Sequence, residues 1–160
     1  MPPAITRRDL FSLAGGVIPA VWERRWGVER PQIDLYIDVS GSMSHYYGYI
    51  PYIYDALRTV QGRIFQFSNQ VVEADPEDLF LHTTGGTQFD VVAKHLLTEG
   101  SLAAIILSDG HGTLETRYVD ALRTQLETLI YIKVQPNREL NWELAATEVV
   151  VLDWDRQPAG

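Results

Sequence analysis

The chain contains no cysteine. That excludes disulfides, thiolate catalysis and cysteine-based zinc sites, and it leaves the redox compartment open. No run of apolar residues approaches the length that spans a bilayer. Positive charge is scarce: 13 Lys and Arg stand against 21 Asp and Glu, for a formal net charge of -8. A nucleic-acid binder wants a basic stripe and attachment to anionic lipid wants a polybasic cluster, so both partner classes are disfavoured. The acidity names no partner by itself. It raises local cation concentration and favours basic surfaces, and it equally suits the solubility of a cytosolic protein. No Gly-x4-Gly-Lys-Ser/Thr loop is present, so nucleotide hydrolysis would have to come from elsewhere. Internal repeats and low-complexity tracts are also missing.

What is present fits one domain. The 160 residues, 46% of them hydrophobic, are enough to bury a core. We expect an N-terminal arm or helix over residues 1–31 and an α/β domain over 32–160. In the arm, Thr6-Arg7-Arg8-Asp9-Leu10-Phe11 resembles a twin-arginine export signal, which makes export the alternative to a cytoplasmic location. The preferred reading is an amphipathic helix with Thr6 as N-cap and Leu10, Leu13, Ala14, Val17, Ile18 and Val21 on one face. No small-x-small cleavage site is clear, and Glu23-Arg24-Arg25 follows the apolar stretch at once.

From Pro31 onward apolar runs alternate with helical patterns. Ile33 to Val39 reads as a buried strand. Pro51 suits the first turn of a helix carrying Ile53, Ala56, Leu57 and Val60. Arg63 to Phe67 and Gln70 to Glu73 flank Ser68-Asn69, a two-residue hairpin turn, which predicts one antiparallel edge strand. Phe89 to Leu97 is helical, with Phe89, Val92, Ala93, Leu96 and Leu97 inward. Ala103 to Leu107 is apolar throughout, as expected of a strand covered on both faces. A helix over Thr116 to Thr128 has Tyr118, Leu122 and Leu126 in phase. Two more strands, Ile130 to Val134 and Val149 to Leu152, flank a short helix near Trp142 to Ala146. This alternation predicts a doubly wound, Rossmann-like, mostly parallel sheet with one antiparallel edge strand and helices on both faces.

Ligands in such sheets bind at the carboxyl ends of the strands, near the switch point. Three polar segments fall there. Asp38-Val39-Ser40-Gly41-Ser42 follows the first strand and offers one carboxylate and two hydroxyls. Thr84-Gly85-Gly86-Thr87 is a glycine-rich entry to a helix. Ser108-Asp109-Gly110 closes the most apolar strand. Hard oxygens suit Mg²⁺, Mn²⁺ or Ca²⁺, and a site rich in hydroxyls leaves charge on the ion for an outside ligand. Each segment alone also reads as an ordinary turn.

Together, Asp-x-Ser-x-Ser, Gly-Gly-Thr and Asp-Gly in this order resemble the von Willebrand factor type A family with its metal-ion-dependent adhesion site. The resemblance covers Gln32 to Trp154. The form Asp-Val-Ser-Gly-Ser-Met is most similar to the bacterial intracellular branch, whose members often accompany MoxR-type AAA+ ATPases. It implies that Ser40 and Ser42 ligate Mg²⁺ (or Mn²⁺ or Ca²⁺) directly, with Thr87 direct or through water. Asp38 and Asp109 would hold coordinated waters. It further implies a partner protein that supplies a Glu or Asp carboxylate, either the AAA+ ATPase or a substrate it remodels. Gln88 stands where many relatives carry Asp, and Asp90 is read as a first-turn helix charge favoured by the dipole. Thr84 is an alternative ligand ranked below Thr87.

The loop after the first ligands is aromatic, and Tyr46, Tyr47 and Tyr49, with His45 and His111, are candidates for a partner-binding rim; the three tyrosines serve equally well as local packing. Tyr52 and Tyr54 read as flanks of a helix start. No His-x-His or His-x3-His spacing supports a zinc site. His82 and His95 read as loop and helix-surface residues, the acidic run Glu73 to Asp78 as a solvated loop, and Trp142 and Trp154 as caps at the core's far edge. Two rival functions remain open: a metal-dependent phosphohydrolase with Asp38 as nucleophile, and a structural subunit with an empty site. A phosphohydrolase of the haloacid type would want a second aspartate where Ser40 stands, and no Gly-x-Ser-x-Gly elbow is present for a serine hydrolase.

Overall fold

The structure, a computed structural model, describes residues 33–46, 48, 50, 61–75 and 86–151. The expected N-terminal arm, the helix from Pro51 to Val60, and residues Thr84, Gly85, Tyr47, Tyr49, Tyr52, Tyr54, His82, Leu152 and Trp154 lie outside that set.

Six strands form one sheet: β1 Ile33–Asp38, β2 Gln61–Phe67, β3 Val71–Glu73, β4 Ala103–Ser108, β5 Thr128–Lys133 and β6 Glu148–Val151. Their order is β3-β2-β1-β4-β5-β6. All neighbours pair parallel except β2 and β3, so the single antiparallel strand sits at an edge; Phe67 pairs with Val71, which makes the hairpin loop Ser68-Asn69-Gln70, one residue longer than expected. This is the α/β, Rossmann-like architecture that the alternation predicts.

The strands are apolar because both faces of the sheet are covered. Every residue of β1 and of β5 is buried. On one face Tyr36, Phe65, Ala104, Ile106, Leu129 and Tyr131 join Phe89, Val92 and Leu96 of helix α1 (Phe89–Glu99) and Val119 and Leu122 of helix α2 (Thr116–Gln125) in one core. The alternate residues Leu35, Ile37, Ile105 and Ile130 are equally buried, as a covered second face requires. α1 ends at Gly100, whose φ of 68° is the left-handed conformation that a side chain resists.

Several local expectations change. α2 stops at Gln125, three residues early, because Leu126 turns extended and the Glu127 and Thr128 N–H groups both donate to Leu102 O, which starts β5. Val119 takes the inward place beside Leu122, and Tyr118 is half-buried. The short helix near Trp142 is a 3-10 turn, Trp142–Leu144. Trp142 is no cap at the edge: it is fully buried, packed edge-on against Phe89 at 5.6 Å. His95 is no plain surface residue either, since its Nδ1 lies 2.8 Å from the hydroxyl of buried Tyr36.

Candidate metal centre

The strand order reverses between β1 and β4, and the two carboxylates Asp38 and Asp109 stand at the carboxyl ends of those two strands. In doubly wound sheets that crevice is where ligands bind. Ile37 pairs with Leu107 in register, so Asp38 and Ser108 meet one step further on. The Ser108 hydroxyl donates to Asp38 Oδ2 at 2.6 Å, and the Ser40 N–H donates to Asp38 Oδ1 at 2.9 Å. The second bond is an aspartate turn: it bends the chain off β1 and starts the 3-10 turn Gly41–Tyr46, whose entry is closed by Met43 N–H on Ser40 O. That bend leaves the Ser40 and Ser42 hydroxyls 3.2 Å apart, the first buried and the second exposed.

Thr87 reaches the same edge through backbone bonds. Val39 N–H donates to Phe67 O, and Gln88 N–H donates to Ser68 O, both at 2.8 Å. The half-buried Thr87 thus precedes a residue anchored one step beyond the strand end that anchors the Ser40 turn. Asp90 lies in the first turn of α1, as read from the sequence, and its carboxylate accepts the Glu115 N–H at 2.9 Å.

Asp38 and Asp109 are both 0% exposed. Burial pushes the Asp38 carboxyl up to about 6, against the lowering effect of the Ser108 and Ser40 hydrogen bonds, with repulsion from Asp109 adding to the rise. One Asp109 oxygen accepts the His111 N–H at 3.1 Å. The other, Oδ2, is buried with no hydrogen-bond partner. Neither carboxylate belongs to an ion pair among the described residues. Two buried acids and one orphaned oxygen are the donor chemistry that a hard divalent cation or its waters would satisfy. Among the described residues no group of three or more His, Cys, Asp or Glu is placed to hold a metal ion.

The turn after Asp109 is held by a segment that carries no recognisable motif. Gly110 has φ 81°, and a Cβ there would meet Lys133 Cε at 2.6 Å and the Asn137 amide nitrogen and Tyr131 hydroxyl at 2.8 Å. Asn141, fully buried, donates from its amide to Gly110 O and Gly112 O, both at 2.9 Å, while Asn137 donates to Asp109 O. Lys133, 3% exposed, fixes that segment from below through Asn137 O, Glu139 O and a 2.6 Å ion pair with Glu143. Sequence reasoning missed Ser108's role, Lys133, Gln135, Asn137 and Asn141. The available signal was position: a polar stretch following a strand at the carboxyl edge.

The predicted rim divides. Tyr46 and His111 are brought together by Gln135, which accepts from the Tyr46 hydroxyl at 2.8 Å and places its amide nitrogen 2.7 Å from His111 Nε2. Glu139 lies on the other side of His111, 3.7 Å from Nδ1. His45 is exposed on the 3-10 turn. Tyr47 and Tyr49 are outside the described residues. No protein-family model matches this chain, and no curated protein matches it.

Proposed function

We propose that the chain is a metal-dependent protein-interaction domain of the von Willebrand factor type A kind. Ser40, Ser42 and Thr87 would hold a divalent cation, Mg²⁺ or else Mn²⁺ or Ca²⁺, and Asp38 and Asp109 would hold its waters. A bound ion supplies positive charge that draws a Glu or Asp carboxylate from a partner protein. The resemblance makes a MoxR-type AAA+ ATPase, or a protein that such an ATPase remodels, the expected partner. The observation that carries the reading is the buried, unpartnered Asp109 Oδ2 beside a second buried carboxylate at the sheet's switch point. A carboxylate stripped of water and left without a cation is costly, and an ion among these oxygens removes that cost.

The phosphohydrolase reading is weaker. A nucleophilic Asp38 would need an accessible oxygen, and both of its oxygens accept hydrogen bonds within a fully buried side chain. The test is partner capture from cell extract in Mg²⁺ and in EDTA, with Ser42→Ala alongside. Capture that needs Mg²⁺ and is lost in a folded Ser42→Ala protein supports the proposal. Capture unaffected by both changes ends it.

A further inference from the structure

We infer that Gln135 is a positioning residue of this centre: its amide ties the turn that carries Ser40 and Ser42 to the turn that carries Asp109. The inference rests on the metal reading and deepens it. Tyr46 is the last residue of the 3-10 turn that opens at Gly41, and its hydroxyl donates to Gln135 Oε1. His111 stands two residues past Asp109, and its N–H is bonded to the Asp109 carboxylate. The other end of the same amide meets the His111 ring. One side chain therefore bridges two ligand-bearing turns that come from different strands.

An amide suits this place. Its carbonyl accepts from a hydroxyl while its NH₂ donates to an unprotonated ring nitrogen; a carboxylate can only accept and an ammonium can only donate. The bridge also stands on a fixed base. Val134 N–H donates to Ser108 O at 2.9 Å just before Gln135, and Lys133 anchors the residues that follow. Gln135 thus transmits the position of β5 to both turns. A single net hydrogen bond is worth enough that losing the bridge should weaken cation affinity by roughly three- to tenfold.

The experiment uses the full chain and Mn²⁺ alone, with free Mn²⁺ followed by electron paramagnetic resonance and thermal midpoints recorded in EDTA. Gln135→Ala is expected to weaken Mn²⁺ binding by roughly three- to tenfold, and Tyr46→Phe by part of that. The double variant should be no weaker than Gln135→Ala, because both changes cut one bridge. Midpoints in EDTA should stay close to wild type. Gln135→Leu, which keeps most of the side chain's bulk and loses both bonds without adding charge, should match Gln135→Ala. If Gln135→Ala does not fold, Tyr46→Phe and Gln135→Leu decide the matter by the same readout. Saturable wild-type binding that these changes leave intact, or weaken additively, overturns the role of Gln135 alone. Absence of saturable Mn²⁺ binding to wild type overturns the metal reading with it.

Discussion

Gly110 and Asp38 carry the sharpest consequences of the local geometry. At Gly110 a methyl group would have to sit on a left-handed backbone and would make contacts inside 3 Å with three side chains. Gly110→Ala should therefore cost about 2–4 kcal/mol, read from the urea midpoint, and should loosen the Asp109 turn with it. Asp38 responds to pH. An unfolded aspartate ionises near the ordinary 3.8, whereas burial holds the folded carboxyl protonated up to about 6. Between those values the folded state binds more protons, so in EDTA this group lowers stability as pH rises through the window. Asp38→Asn has no charge to bury. Relative to wild type in EDTA it should gain up to about 3 kcal/mol above pH 6, shrinking to nothing toward pH 4. A gain independent of pH would contradict the assignment of that cost to the buried charge.

At the scale of elements, the segment after β5 does more than connect strands. Lys133 is buried in an ion pair with Glu143 and also holds two backbone carbonyls of the segment that clamps Gly110. Removing one partner of such a pair leaves the other without its match, so Lys133→Ala should cost about 3–5 kcal/mol in urea unfolding. Lys133→Met combined with Glu143→Leu should cost less than Lys133→Ala alone. The elements also show what was legible beforehand. Strands such as Ile33–Asp38 and Ala103–Ser108 announce themselves because a run covered on both faces must be apolar throughout. The hairpin at Ser68 and the helix from Phe89 follow from turn chemistry and a 3.6-residue period. The end of α2 did not, because Leu126 keeps the helical phase while its backbone turns extended and the next two residues bond to Leu102. The same divide runs through the centre. Asp38, Ser40, Ser42 and Asp109 stand out as hydroxyl and carboxylate donors at strand ends, and Thr87 as a hydroxyl at the entry to α1. Gln135, Asn137 and Asn141 reach the centre through bonds to residues more than twenty positions away, and no short-range pattern encodes such bonds.

For the whole molecule, the doubly wound sheet explains why the centre lies where it does. The strand order reverses between β1 and β4, and in doubly wound sheets that reversal is where the following loops part and ligands bind. The chain's net charge of -8 attracts cations and repels anionic surfaces. Ion binding and folding should therefore be linked. At Mg²⁺ a hundred times above its Kd, stability should rise by about 2.7 kcal/mol over the EDTA form, seen as a higher thermal midpoint. Among the described residues no helix is long and apolar enough to cross a membrane. The most direct measurement of the central claim is the stoichiometry of Mn²⁺ binding, followed by electron paramagnetic resonance, for wild type and Ser42→Ala. The account predicts one saturable site per wild-type chain that competing Mg²⁺ displaces and that a folded Ser42→Ala protein has lost. Equal binding by both proteins, or no saturable site in wild type, would contradict it.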